Sequence, residues 1–196
     1  MKPVKSAVFL DRDGVIIVNR SDYVKTPEEV LFLPKVFEAL HTINQSSYAI
    51  VLITNQSVVG RGIITLDQAL RINQGVIAEI IARGGRIDAS YICPHRPDEK
   101  CSCRKPAPGL LLKAAEELQM DLTRSYLIGD AVSDIEAASL VGAQGILVLT
   151  GRGREQANIM ESKGNSAFRA VAIMPDLEKA VDFIIAQTIL HSGESQ

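Results

Sequence analysis

Two carboxylates stand two residues apart in the run FLDRDGV, residues 9–15, where a short apolar stretch ends. A pair spaced in this way can divide the work of phosphoryl transfer. In such a division Asp11 would attack phosphorus and become an aspartyl phosphate, while Asp13 would protonate the departing oxygen and later deprotonate the hydrolytic water. A turn that contains Asp and Gly after a strand is also an ordinary structural feature. The motif alone therefore leaves both interpretations open.

Three further segments carry polar or charged groups close to the ends of apolar runs. The run IVLI, residues 50–53, precedes the hydroxyls and amides of TNQS, residues 54–57, which suit phosphate oxygens. Lys105 supplies positive charge, and the run YLI precedes Asp130 and Asp134, whose hard oxygens are of the kind that bind Mg²⁺. Ligands of open parallel sheets bind outside the carboxyl ends of the strands, so we expect these segments to converge.

These four motifs, in this order, resemble the haloacid-dehalogenase-like (HAD) phosphatase superfamily over about residues 8–148. The resemblance implies that Asp11 is the nucleophile and a Mg²⁺ ligand, and that Asp13 is the general acid and base. The same resemblance implies that Asp13 binds Mg²⁺ through its main-chain carbonyl and that Asp130 completes the metal site. It also implies that Thr54 and Lys105 bind the transferring phosphoryl group. Two interpretations of Asp134 stay open: it supports the metal site, or it is simply a member of the helix that follows.

A second motif, CPHRPDEKCSC, gathers all three cysteines of the chain and one histidine into residues 93–103. Cys93, His95, Cys101 and Cys103 form a Cys₃His set, typical of structural Zn²⁺ sites with no open coordination position. The alternatives are a disulfide with a spare thiol, or unrelated cysteines. The odd number of cysteines and the absence of a secretion signal favour zinc. Zinc at this place would hold the loop that carries Lys105.

Length and composition indicate one globular domain, residues 1–196, with 46% hydrophobic and 22% charged residues. The net charge of −2 and the lack of a basic run argue against nucleic-acid binding. The chain offers no apolar run of the length of a signal-peptide core or a membrane span. We therefore expect a cytoplasmic monomer that acts on a small molecule and associates with neither nucleic acid nor membrane.

Alternating strand and helix patterns predict an α/β fold, a three-layer doubly wound parallel sheet without a cap domain. Pro34 is expected as the first residue of a helix that runs through Lys35 to about residue 44, and a Thr65–Gln68 capping box is predicted to open a helix that ends near residue 83. A second capping box, Ser133–Glu136, is predicted to open a later helix. Further elements are predicted at residues 89–93, 108–119, 145–149, 171–174 and 177–190, with a frayed tail at 191–196.

Within the superfamily, the zinc loop narrows the resemblance to the branch that contains heptose bisphosphate phosphatases and histidinol-phosphate phosphatases. The stretch NQS followed by Arg61 and Gly62 is similar to the heptose family, whereas Val58 and Ala131 depart from the Gly and Lys found there. The resemblance implies removal of the 7-phosphate of D-glycero-D-manno-heptose 1,7-bisphosphate. Histidinol phosphate is the alternative substrate. A zinc-stabilised binding module without catalysis is the alternative of another class.

Substrate contacts are predicted on three loops of this chain. Arg104 is expected to bind the second, non-reacting phosphate, because a guanidinium fork suits phosphate oxygens, and a solvated surface arginine is the alternative. The predicted substrate-binding residues are Asn19, Arg20, Ser21, Asp22, Tyr23, Asn55, Gln56, Ser57 and Arg104.

Overall fold

The computed structural model describes residues 5–162 and 170–193, and these contain a six-stranded sheet. Every neighbouring pair of strands is parallel, and the spatial order is β3-β2-β1-β4-β5-β6. The strands are β1 Ala7–Leu10, β2 Ala49–Asn55, β3 Ala89–Cys93, β4 Tyr126–Gly129, β5 Gln144–Val148 and β6 Ala172–Met174. The predicted α/β fold with a parallel sheet is confirmed.

Helices cover both faces of the sheet, which gives the predicted three layers. They are α1 Val36–Asn44, α2 Ser57–Gly60, α3 Leu66–Ala82, α4 Gly109–Leu118, α5 Val132–Leu140, α6 Gly153–Ser162 and α7 Leu177–Gly193. One core cluster joins Val8 and Leu10 to α1, α3 and α7, and a second joins Ala7 and Phe9 to α4 and α5. Alternate side chains of β1 thus enter opposite cores, which is why its four residues are all buried.

The strand register brings the predicted motifs to one edge of the sheet. Leu10 pairs with Leu52 on β2 and with Ile128 on β4. Because these strands run in the same direction, the residues that follow them emerge side by side at the carboxyl edge. Asp11 and Asp130 come directly after β1 and β4, and Thr54 lies near the end of β2.

The predicted helix boundaries are partly right. The capping box of α3 is confirmed, since the main-chain N–H of Gln68 donates to Thr65 Oγ1 at 3.2 Å and the N–H of Thr65 donates to Gln68 Oε1 at 2.7 Å. The prediction that Pro34 opens α1 is wrong: the helix begins at Val36, because Lys35 has a left-handed backbone with φ of 61°.

The predicted Ser133–Glu136 capping box is also wrong. Helix α5 begins at Val132, and its Asp134 carboxylate accepts the main-chain N–H of Ala131 at 3.1 Å.

Helix α6 was not predicted, because its sequence is largely polar and its packed face is small. Helix α7 continues to Gly193, so the predicted frayed tail begins too early, and residues 194–196 lie outside the described part. No helix in the described residues is both long and apolar enough to span a membrane.

Candidate active site

A buried lysine joins two carboxylates at the carboxyl edge of the sheet. Lys105 Nζ lies 3.0 Å from Asp11 Oδ1 and 2.7 Å from Asp134 Oδ1, and it also donates to the carbonyl of Ile53 at 3.2 Å. Only 4% of Lys105 is exposed. Asp134 is therefore both a member of the first turn of α5 and a charged partner of Lys105, so the two interpretations of this residue are compatible.

Burial and neighbouring charges shift the pKa values of Asp11 and Lys105 in opposite directions. Burial raises the pKa of the Asp11 carboxyl from 3.8 to about 6, although the positive charge of Lys105 lowers it. Burial would lower the pKa of Lys105, but Asp11 and Asp134 raise it above the ordinary lysine value. Lys105 is thus held as a cation, and Asp11 stays an anion near neutral pH.

The two oxygens of Asp11 have different surroundings. Oδ1 accepts the main-chain N–H of Arg12 at 2.8 Å and lies next to Lys105 Nζ. Among the described residues, Oδ2 accepts no hydrogen bond from the protein. Oδ2 is consequently the oxygen that can approach an electrophile or a metal ion.

Asp13 is held by three side chains. Arg12, which is 1% exposed, donates from Nε to Asp13 Oδ2 at 3.1 Å and from Nη2 to Oδ1 at 3.3 Å. Gln56 Nε2 donates to Asp13 Oδ2 at 2.7 Å and to Thr54 Oγ1 at 2.8 Å. Thr54 Oγ1 lies 3.4 Å from the same carboxylate oxygen. The amide of Gln56, predicted to bind substrate, is therefore engaged with the predicted acid and base.

Asn55, another predicted substrate ligand, is engaged with the main chain of Lys105. Its Nδ2 donates to the Lys105 carbonyl at 3.1 Å, and its Oδ1 accepts the Lys105 N–H at 3.1 Å. Both hydrogen-bonding atoms of the amide are thus used within the protein. The structure gives Asn55 the geometry of a residue that positions Lys105.

Asp130 pairs with an arginine that the sequence analysis did not select. The main-chain N–H of Arg152 donates to Asp130 Oδ2 at 2.9 Å, and its guanidinium Nη2 donates to Oδ1 at 3.2 Å. Burial, and then the charge of Asp11, raises the pKa of Asp130 above its ordinary value. Arg152 follows the carboxyl end of β5, so the same strand-end rule that selected the other motifs would have found it.

The predicted magnesium ligands meet in a cluster of carboxylates. Ligand oxygens of Asp11, Asp130 and Asp134 all lie within 4.8 Å of one another, and all three residues are buried. Asp134 uses Oδ1 for Lys105 and Oδ2 for the N–H of Ala131, so its oxygens already have partners. The partner of Asp134 Oδ1 is the buried Lys105, whereas Asp130 Oδ1 faces the half-exposed guanidinium of Arg152 and Asp11 Oδ2 has no hydrogen bond within the described residues. Asp11 and Asp130 are therefore more open to a divalent cation, and their hard oxygens fit Mg²⁺.

The Cys₃His set forms a compact cluster. The sulfurs of Cys93, Cys101 and Cys103 are 3.2 to 3.6 Å apart, and His95 Nδ1 lies 3.6 Å from Cys93 Sγ and 3.3 Å from Cys103 Sγ. All three cysteines are free, which argues against the disulfide alternative. A tetrahedral Zn²⁺ with bonds of about 2.3 Å to sulfur requires sulfurs about 3.8 Å apart, close to this arrangement.

This loop contacts both neighbouring segments of the site. The carbonyl of Cys93 accepts the N–H of Gln56 at 2.7 Å, and the carbonyl of Pro94 accepts the N–H of Gly60 at 2.9 Å. Arg104 donates from Nη1 to the carbonyl of His95 at 3.2 Å. The Cys₃His loop therefore supports α2 on one side and the Arg104–Lys105 segment on the other.

A cleft of about 710 Å³ opens over these groups. The predicted residues that line it are Asp11, Asp13, Asn19, Arg20, Ser21, Tyr23, Thr54, Asn55, Gln56, Ser57, Arg104 and Lys105. Asp22 is outside this lining: its carboxylate binds Arg20 at 3.1 Å and Lys25 at 3.0 Å, and Asp22 is exposed. Its effect on the cleft is to hold Arg20.

The parallel sheet, the Asp11–Lys105–Asp134 group and the acidic cluster define a HAD-like hydrolase. A HAD-hydrolase-like family model matches residues 102–180. The D-glycero-beta-D-manno-heptose-1,7-bisphosphate 7-phosphatase of Photorhabdus laumondii is 37% identical over 182 residues, covering 89% of this chain and 96% of its own length. The enzyme of that name from Pseudomonas aeruginosa is 39% identical over 150 residues, or 76% and 84% of the two chains.

Among solved structures, the D,D-heptose 1,7-bisphosphate phosphatase of B. bronchiseptica, complexed with magnesium and phosphate, superposes with a TM-score of 0.84. It is 31% identical, and the match covers 93% of this chain and 99% of that one. The chain belongs to the family of D-glycero-beta-D-manno-heptose-1,7-bisphosphate 7-phosphatases.

Proposed function

We propose that this protein is a Mg²⁺-dependent phosphatase that removes the 7-phosphate of D-glycero-D-manno-heptose 1,7-bisphosphate through an aspartyl-phosphate intermediate. The observation that carries the proposal is the meeting of Asp11, Asp13 and Lys105 at one cleft, with the buried Asp130 within 4.8 Å of Asp11, in a chain that matches nearly the whole length of a heptose bisphosphatase. Each chemical requirement of the reaction has a residue at or beside that cleft.

In the first half of the reaction, Asp11 Oδ2 forms a bond to phosphorus while the bond from phosphorus to the sugar oxygen breaks. The sugar oxygen takes a proton from Asp13 and leaves as the hydroxyl of heptose 1-phosphate. In this proposal Lys105 neutralises part of the phosphate charge, and Thr54 Oγ1 contacts a phosphoryl oxygen. Because Asp13 lies in a network with Arg12 and Gln56, its carboxyl is held in one orientation.

In the second half, water attacks the phosphorus of the aspartyl phosphate as Asp13 accepts its proton. The bond between phosphorus and Asp11 breaks, which releases inorganic phosphate and restores the carboxylate. This step returns Asp13 to its protonated form for the next substrate, so the two half-reactions balance.

Asp11, Asp130 and the main-chain carbonyl of Asp13 are the proposed Mg²⁺ ligands. The fit rests on two buried carboxylates whose oxygens lie within 4.8 Å and which, within residues 5–162 and 170–193, form ion pairs with Lys105 and Arg152. When bound, Mg²⁺ supplies positive charge that lets a phosphate dianion approach an anionic nucleophile. In the same family, the B. bronchiseptica enzyme was crystallised with magnesium and phosphate.

We propose that Arg104 binds the second phosphate of the bisphosphate. It lines the cleft next to Lys105, and the carbonyl of His95 holds its guanidinium. Cleft residues of the first loop, Asn19, Ser21 and Tyr23, are proposed contacts for the sugar hydroxyls, together with Ser57 of α2.

The Cys₃His cluster is proposed to bind structural Zn²⁺, because four protein ligands close the coordination sphere. The bound metal would fix the segments that carry Lys105 and Arg104. Thiolate ligands persist in a reducing compartment, which supports a cytoplasmic location. We propose that the enzyme acts there as a monomer of one domain.

The test is phosphate release from heptose 1,7-bisphosphate and from histidinol phosphate, measured with Mg²⁺ under the same conditions. Asp11→Asn and Asp13→Asn serve as blanks. We expect kcat/KM to favour the bisphosphate by a hundredfold or more, a difference of about 2.7 kcal/mol in transition-state binding. The position of the phosphate removed is read from the product, which should be the 1-phosphate.

Each other outcome identifies a different error. Preference for histidinol phosphate would contradict the substrate while leaving the roles of Asp11 and Asp13 intact. Turnover of neither compound, and of no generic aryl phosphate, would support a zinc-stabilised binding module. Activity that survives in Asp11→Asn would contradict the aspartyl-phosphate mechanism itself.

A further inference from the structure

We infer that the guanidinium of Arg152 pairs with Asp130 in the metal-free enzyme, leaves Asp130 when Mg²⁺ binds, and then contacts the phosphate of the substrate. The inference rests on the proposed function, because it assigns a role within the same cleft. Arg152 would thus be a substrate-binding residue that also sets the affinity for the metal. The observation behind this inference is that the main-chain N–H of Arg152 binds one oxygen of Asp130 and its guanidinium binds the other.

The main chain at Arg152 is fixed by its surroundings. Thr150 Oγ1 donates to the carbonyl of Gly14 at 2.6 Å, and the N–H of Gly153 donates to the carbonyl of Thr150 at 2.8 Å. Gly151 has φ of 54° and packs against Gly14, where a Cβ atom would lie 2.6 Å from the Gly14 Cα. The N–H of Arg152 therefore stays on Asp130 Oδ2 whatever the side chain does.

The guanidinium, by contrast, is free to leave. Its side chain is 52% exposed, and its one ion pair in the described part of the chain is with Asp130 Oδ1 at 3.2 Å. It lines the same cleft as Asp11 and Lys105, and a phosphate must enter this cleft for Asp11 to attack it. A guanidinium fork binds two phosphate oxygens at once, which is a better match than a single carboxylate oxygen.

Charge balance supplies the reason for the change of partner. In the described structure, three clustered carboxylates face two cations: Lys105 lies between Asp11 and Asp134, and Arg152 neutralises Asp130. A divalent cation at Asp11 and Asp130 adds two positive charges close to the guanidinium and competes for Asp130 Oδ1. A phosphate dianion then offers Arg152 a new partner within reach of its side chain.

A merely structural role makes the opposite prediction for metal binding. If Arg152 only holds Asp130 in place, its removal disorders a ligand and weakens the metal site. If Arg152 competes with the metal, its removal tightens metal binding in the absence of substrate. The sign of the change therefore separates the two roles.

The experiment uses the zinc-loaded full chain and Mn²⁺ as the metal probe, with free Mn²⁺ measured by electron paramagnetic resonance in the absence of substrate. We expect Arg152→Ala to bind Mn²⁺ about threefold or more tightly than the wild type. In steady-state assays with saturating Mg²⁺, we expect its KM for the bisphosphate to rise about tenfold or more, with a smaller change in kcat. Arg154→Ala, an exposed arginine two residues along, is the matched control and should change neither value.

Arg152→Gln, which keeps a hydrogen-bonding side chain without the charge, serves if the alanine variant does not fold, and it should also bind Mn²⁺ more tightly. Weaker or unchanged Mn²⁺ binding in both variants, or an unchanged KM, would overturn the inference. The metal measurement needs no substrate. A wild-type enzyme that hydrolyses no sugar phosphate therefore contradicts the proposed function, whereas the sign of the Mn²⁺ change still tests the competition at Asp130.

Discussion

The side-chain amide of Asn55 binds the main chain of Lys105 on both sides, donating to its carbonyl and accepting from its N–H at 3.1 Å each. This two-point contact ties the end of β2 to the segment that follows the Cys₃His loop. Lys105 is 50 residues away in sequence, yet its side chain reaches back across β2 to the carbonyl of Ile53. The placement of the lysine cation therefore depends on a residue that does not itself carry charge.

Replacement of Asn55 should reduce turnover. We expect Asn55→Ala to lower kcat about tenfold to a hundredfold, because a shift of a charged group by about 1 Å costs rates of this order. Asn44→Ala is the control, since Asn44 donates a single hydrogen bond to the Gly84 carbonyl at the protein surface. Steady-state kinetics measure both variants. An unchanged kcat in Asn55→Ala would show that Lys105 is positioned without this amide.

Loss of one zinc ligand should reduce both metal content and activity. We expect Cys101→Ser to bind less than one zinc per chain and to lose at least about tenfold in kcat, because the loop supports α2 and Lys105. Ser102→Ala, an exposed neighbour between two ligands, is the control and should keep its zinc. Elemental analysis and kinetics of the purified proteins make the comparison. Full activity in a zinc-free variant would show that catalysis does not require zinc in this loop.

The buried Asp11 should make stability depend on pH in the magnesium-free protein. Burial raises the pKa of its carboxyl to about 6, so between about pH 4 and pH 6 the unfolded chain releases this proton before the folded chain does. Asp11 therefore lowers the free energy of unfolding as pH rises through this window, and the full cost remains above it. Asp11→Asn removes the cost, which is at most about 3 kcal/mol for a shift of this size.

Denaturant unfolding at pH 4 and at pH 7, without Mg²⁺, measures this effect. The free energy of unfolding of Asp11→Asn, relative to the wild type, should be higher at pH 7 than at pH 4. Asp67→Asn, at the exposed start of α3, controls for the loss of one charge. If the difference between Asp11→Asn and the wild type is the same at both pH values, folding does not shift the pKa of the Asp11 carboxyl.

Two glycines with left-handed backbones can be compared to test how tightly the loop at Gly151 packs against Asp130. Gly151 has φ of 54° and Gly62 has φ of 70°, so alanine carries a similar backbone cost at both, roughly 1–2 kcal/mol. A Cβ atom at Gly62 meets nothing within 4 Å, whereas one at Gly151 would overlap Asp130 Oδ2. We expect Gly151→Ala to be less stable than Gly62→Ala by about 1–3 kcal/mol in denaturant unfolding. Equal stability of the two variants would mean that Asp130 moves at little cost.

Much of the fold was predictable, because the apolar runs that form β1, β2 and β4 are short, buried on both faces and followed by polar motifs. The capping box at Thr65 was also readable, since it depends on residues three apart. Helix α6 was missed because its apolar face is small, and the start of α5 was misplaced because Asp134, rather than Ser133, organises its first turn. Local patterns predict an element best when the residues that stabilise it are close in sequence.

The chemical inventory of this protein can be read from its sequence: two carboxylates after β1, a lysine beyond a Cys₃His loop, and an acidic pair after β4. Which group each side chain contacts depends on the tertiary fold. Gln56 binds Asp13, Asn55 binds Lys105, and Arg152 joins Asp130 from the end of β5. The physical reason is that strand order and register bring together residues separated by 22 to 50 positions, and hydrogen bonds over that separation leave no local pattern to read.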